Sequence, residues 1–100
     1  MLVCLVVKVI DKHQEILTGY VREIDIQFVP SVGMKFRQGS STWLWETKNG
    51  ELAPEVKEVT YNIDDEIVYC LFEVNERLES SFWKEIKDVY SSHELRQFAR

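Results

Sequence analysis

Apolar residues fall along this chain in three kinds of run. Leu2 to Ile10 (LVCLVVKVI) and Ile67 to Phe72 (IVYCLF) are almost uninterrupted. Runs of this length, rich in β-branched residues, read as strands covered on both faces. A second kind alternates. In Tyr20 to Val29 (YVREIDIQFV), Ile24, Ile26 and Phe28 point one way while Glu23, Asp25 and Gln27 point the other. Val59, Tyr61 and Ile63 alternate in the same manner with Glu58, Thr60 and Asn62. Both are the period-two signature of a half-buried strand. The third kind comes last: Phe82, Ile86, Val89, Tyr90 and His93 recur at the spacing of one helix face.

Turn chemistry joins these runs. Val56 to Val74 reads as a hairpin, with Asn62, Asp64 and Asp65 supplying the turn because short Asx side chains bond nearby backbone groups. Pro30 ends the alternating strand, since it has no N–H for a ladder, and Gly33 closes the turn that follows. Met34 to Phe36 suggests a short strand. Trp43-Leu44-Trp45 suggests another, with both Trp on one side, turned at Asn49-Gly50. Ser80 or Ser81 is placed to cap the final helix. Ser91 with Glu94 forms a second capping box, which breaks the helix near Ser91-Ser92 and continues it through Leu95 and Phe98.

The fold expected is therefore α+β in one domain over residues 1–100. About five strands form a strongly bent antiparallel sheet or a small, partly open barrel. A C-terminal helix over about residues 80–99, in one piece or two, packs on it. A chain of 100 residues can bury about two-thirds of its unfolded surface, enough for one core without staples.

Charge narrows the partners. The net charge is −5, unevenly placed. Residues 1–45 carry five basic and four acidic side chains, a net of +1, whereas residues 46–100 carry seven and thirteen, a net of −6. Nucleic-acid binding rests on clustered Lys and Arg, so this distribution disfavours it. Leu2 to Val7 is too short to span a bilayer and lacks the basic lead of a signal segment, so a cytoplasmic protein off the membrane is expected.

Chemistry-bearing residues are sparse. Cys4 and Cys70 lie in apolar runs and read as buried thiols of a reducing compartment. With His13 and His93 they lack the spacing of a zinc site. The acids Asp64 to Glu66 lack the ligand spacing of a calcium loop. Ser40 and Ser41 have no His and acid placed to activate them. No metal and no cofactor is expected, and no enzyme activity. His13, His93, Glu23, Asp25 and Glu73 are the usable acid–base groups, and partial burial at the end of its apolar run would raise the Glu73 pKa.

The binding candidates are Trp43 and Trp45 as an aromatic anchor, with Lys35, Arg37 and Glu46 around them. Together with the acidic second half they point to a small non-enzymatic protein–protein interaction module of the inhibitor, antitoxin or immunity kind, or to a homodimer through sheet edges or the helix. The alternative is a small-molecule-binding half-barrel. Its apolar pocket would be lined by aromatics among Tyr20, Phe28, Phe36, Trp43, Trp45, Tyr61, Tyr69 and Phe72.

Overall fold

The computed structural model describes residues 1–38, 44–79 and 81–87. Its strands are β1 (Leu2–Ile10), β2 (Ile16–Asp25), β3 (Glu46–Thr47), β4 (Gly50–Glu51), β5 (Glu58–Asn62), β6 (Ile67–Val74) and β7 (Lys84–Ile86). Five of them form one sheet in the order β5-β6-β1-β2-β7, and β3 and β4 form a separate two-stranded ribbon. The two continuous apolar runs, β1 and β6, lie inside the sheet. They pair in parallel, with Leu2 opposite Ile67 through Val9 opposite Val74. All other ladders are antiparallel.

A parallel pair needs a crossover, because a short turn can only reverse the chain. The described residues 26–38 and 44–57 belong to it. They leave β2, cross one face of the sheet and re-enter as β5 beyond β6. On that face Val3, Leu5, Val7 and Val9 of β1 meet Val68, Cys70, Phe72 and Val74 of β6, under Leu44, Trp45 and Val56 of the crossing segment. The opposite face buries Cys4, Val6, Val21, Ile67, Tyr69, Leu71 and Ile86. Burial on two faces explains why β1 and β6 carry no alternation.

Local chemistry fixes the turns. The Asp11 carboxylate accepts the N–H groups of His13 (2.8 Å) and Glu15 (3.0 Å), closing the β1–β2 hairpin. Asn62 accepts the Asp65 N–H at 3.2 Å and so closes β5–β6, as its sequence suggested. The small ribbon turns on Lys48-Asn49, one residue earlier than expected, with Gly50 at φ 120° as the first residue of β4. β2 also ends earlier than the alternating pattern. Beyond Asp25 one more backbone bond, from Ile26 N–H to Met1 O (3.0 Å), continues towards β1, and Phe28 is 50 % exposed. The strand expected at Met34–Phe36 is a single bridge, Lys35 opposite Glu55.

Three expectations are overturned. The sheet is mixed and open, with edges at β5 and β7, rather than a purely antiparallel sheet or a barrel. The class is all-β: no helix forms among the described residues. The expected C-terminal helix fails over residues 81–87, where β7 pairs with β2 through Gly19–Ile86, Tyr20–Glu85 and Val21–Lys84. With β1 on its other side, β2 has one edge left, and β7 satisfies it. Period two then replaces helical spacing. Trp83 enters the crossover-side core, Ile86 enters the other face, and Phe82 is 36 % exposed with the Arg22 guanidinium 5.0 Å above its ring. Residues 88–99 of the expected helix, His93 and the Ser91-Ser92 break among them, lie outside the described residues.

Candidate functional site

Trp45, one of the two anchor residues read from the sequence, belongs to the core. Trp45 is 1 % exposed, and its indole N–H donates to Phe36 O at 2.8 Å. Its ring lies 4.8 Å from Phe72 and 5.1 Å from Trp83, whose own N–H donates to Leu44 O at 2.7 Å. Leu44 and Trp45 occupy a turn, so both enter the same core instead of opposite faces of a strand. Trp43 lies outside the described residues. Lys35 and Arg37 do come together with the Trp45 rim, around a hollow of about 290 Å³ that also takes in Glu51 and Leu52. Glu46 is not part of it; its carbonyl accepts the Glu79 N–H at 2.8 Å. Among the described residues, Trp45 packs on Phe72 and Trp83, and Phe36 and Trp45 also line that small hollow.

The larger concavity lies elsewhere, where the parallel pair β1–β6 ends. It is an open groove of about 680 Å³. It is lined by Ile10 from β1, Val74 from β6 and Asn75 just after that strand. Leu52, Ala53, Pro54 and Val56 of the crossing segment form one wall, and Val32 and Gly33 close the side. Backbone bonds hold these walls: Gly33 N–H donates to Val56 O and Val56 N–H to Met34 O, both at 2.8 Å. Gly33 has φ 91°, a conformation that strains any residue with a Cβ, so the Pro30–Gly33 turn depends on glycine here.

One charged cluster stands in this aliphatic setting. Glu73 lines the groove, and its two carboxylate oxygens bind two lysines, Lys8 at 3.1 Å and Lys57 at 2.8 Å. Glu73 and Lys8 are largely buried, whereas the Lys57 side chain is 59 % exposed. Burial alone would raise the Glu73 pKa, as the sequence suggested. Hydrogen bonds and charge from Lys57 and Lys8 outweigh it and hold the carboxyl below its ordinary value. Glu73 is therefore an ionised strut rather than a base poised near neutrality.

Sequence reasoning missed this cluster, although a signal was present. Lys8 and Glu73 are the charges that interrupt the two apolar runs, and they are of opposite sign. In the structure they are direct register partners of the parallel pair. Two lone charges of opposite sign in two otherwise apolar strands indicate both that the strands are neighbours and which register they take.

The remaining candidates stay apart. His13 is exposed in the β1–β2 turn, Glu23 is exposed on β2, and Asp25 pairs with the Met1 amino group at 2.8 Å. Cys4 and Cys70 point to opposite faces of the sheet, which prevents a disulfide between them. Burial pushes the Cys4 thiol up to about 12, helped by Glu23, and the Cys70 thiol to about 11. Among the described residues no three His, Cys, Asp or Glu side chains are grouped to hold a metal ion. No described helix is long and apolar enough to cross a membrane. A hollow of about 480 Å³ beside β7 is lined by side chains of mixed charge, with Arg77 and Glu85 paired at 3.4 Å. No family model, no curated protein and no solved structure matches this chain.

Proposed function

We propose that this protein binds a small molecule, without transforming it, in the groove at the ends of β1 and β6. The observation that carries the reading is the groove itself. Its volume of about 680 Å³ falls in the range of small-molecule sites, and its walls are aliphatic with one fixed polar cluster. Aliphatic walls supply non-directional attraction, and the cluster supplies orientation. The lining differs from the apolar aromatic pocket expected from the sequence, because Ile10, Val32, Leu52 and Val74 offer an alkyl surface.

Titration of isotopically labelled protein with 1-octanol, followed by amide chemical shifts, tests this. Saturable shifts are expected at Val32, Leu52, Ala53, Val56 and Val74. Ala53→Trp, at an exposed position of the wall, is expected to abolish them while the spectrum stays dispersed. Absence of saturable shifts in the unaltered protein overturns the reading.

A second reading concerns protein partners, and here we propose the second copy of the chain. Among the described residues β5 has a sheet neighbour on one side only, and Tyr61 and Ile63 near its end are 53 % and 79 % exposed. The sequence Glu58-Val59-Thr60-Tyr61-Asn62 is suited to antiparallel pairing with itself about Thr60. Val59 would then oppose Tyr61 of the second copy, and no like charges would meet. The interaction-module reading thereby moves from the Trp pair to a strand edge.

A further inference from the structure

We propose that the groove selects ligands ending in an anionic group, an aliphatic carboxylate being the simplest, with Lys57 as the residue that holds the head. This rests on the groove being the binding site. The argument is one of counting charges and donors. A single carboxylate, Glu73, is met by two ammonium groups, at 3.1 and 2.8 Å, so the cluster carries a net charge of +1. Both Glu73 oxygens are engaged. A cationic head would approach that carboxylate against the repulsion of two ammonium groups already on it.

An anionic head displaces nothing. An ammonium has three donors, and Glu73 takes one from Lys57, whose side chain is 59 % exposed. Two donors remain beyond the one Glu73 takes, and Lys57 lines the groove together with Ala53, Pro54 and Val56. Lys8 is different. Its side chain is 20 % exposed, and it supports Glu73 from the side of β1. The cluster thus divides its labour: Lys8 and Glu73 form the anchored half, and Lys57 is the ammonium that reaches the ligand. Glu55 also lines the groove; it and Lys57 are both exposed and screened by water and salt, so the selection rests on direct contact of the head with the Lys57 ammonium. An alkyl chain on the aliphatic wall with its carboxylate on Lys57 satisfies both parts of the site at once.

Three probes with the same eight-carbon body test this: octanoate, 1-octanol and octylammonium, titrated calorimetrically and by amide shifts at neutral pH and low salt. Octanoate is expected to bind about fivefold more tightly than 1-octanol, the scale of one partly exposed ion pair, and octylammonium no better than 1-octanol. Added salt is expected to erase the preference for octanoate and leave 1-octanol unaffected. Lys57→Met, which keeps the alkyl stem, is expected to bring octanoate to the level of 1-octanol, and Lys57→Arg to retain the preference. In both variants Glu73 keeps Lys8 as a partner, and a dispersed amide spectrum shows that they fold. Equal binding of all three probes, or tightest binding of octylammonium, overturns the head-group assignment and leaves the groove intact as a site. Saturable binding by none of them overturns the groove itself.

Discussion

Glu73 carries a stability consequence as well as a binding one. Its carboxyl is buried, which by itself raises the pKa, but bonds from Lys57 and Lys8 bring the folded value below the ordinary 4.5. A depressed folded value means that the stabilisation is fully present above the unfolded-state pKa and is lost as pH falls through the folded one. The window therefore opens near 4.5 and extends downward in pH. Glu73→Gln is expected to cost about 2 kcal/mol at pH 7, because it removes charge-assisted bonds and leaves Lys8 largely buried without its counter-ion. The gap between the two proteins should narrow as pH drops below that window. Urea unfolding at a series of pH values reads this directly, and a gap constant from pH 7 to pH 3 would rule the linkage out. Residue by residue, the sequence showed which positions are buried better than it showed what surrounds them. Cys4, Cys70, Val6 and Phe72 could be assigned to the core from their runs alone. Trp45 could not, because a Trp beside a polar loop reads as anchor or as core, and its ring partners Phe72 and Trp83 are distant in sequence.

At the scale of elements, β7 is where local pattern and tertiary context disagreed. Phe82, Lys84 and Ile86 fit period two, and Phe82 and Ile86 fit a helical four-residue step equally well. Three residues of strand are too few for periodicity to decide. The decision comes from β2, which has buried residues along its length and an edge not used by β1. This gives a sharp test. A helix face would bury Phe82 and leave Trp83 at its margin; the strand buries Trp83 against Trp45 and leaves Phe82 partly exposed. Trp83→Ala is accordingly expected to cost about 3–5 kcal/mol, and Phe82→Ala about 1 kcal/mol or less, as shifts in urea midpoint. The reverse order would contradict the strand. The pairing of β5 with β6 through the Asn62 turn, by contrast, was legible, although Tyr61 and Ile63, read as part of its apolar face, are 53 % and 79 % exposed. The alternating strand, the Asn62 turn and the continuous apolar strand are local signals, and the structure adds that β6 then pairs with β1.

The whole molecule depends on that one non-local pairing. Because β6 lies parallel to β1, the chain between β2 and β5 must cross the sheet; Leu44, Trp45 and Val56 cover one face, and Leu52 to Val56 come over the ends of β1 and β6. The groove is thus a product of topology, assembled from four stretches whose nearness no local pattern announces; only the opposite charges of Lys8 and Glu73 hinted at it. The same strand order leaves β5 at an edge. A strand edge presents backbone donors and acceptors that stay solvated or find another strand. Pairing of two copies about Thr60 would join two five-stranded sheets into one, with the two-fold axis passing between the Thr60 residues. Sedimentation velocity at micromolar concentrations is expected to show a concentration-dependent dimer. Thr60→Lys places two ammonium groups directly opposite one another across the axis and is expected to shift the protein to monomer. Lysine is well tolerated on a solvated edge, so the monomer should keep its fold. Octanoate binding by that monomer should be unchanged, since Thr60 is not part of the groove. A dimer unaffected by Thr60→Lys would place its interface away from β5, and a monomer at all concentrations would show that the edge remains solvated.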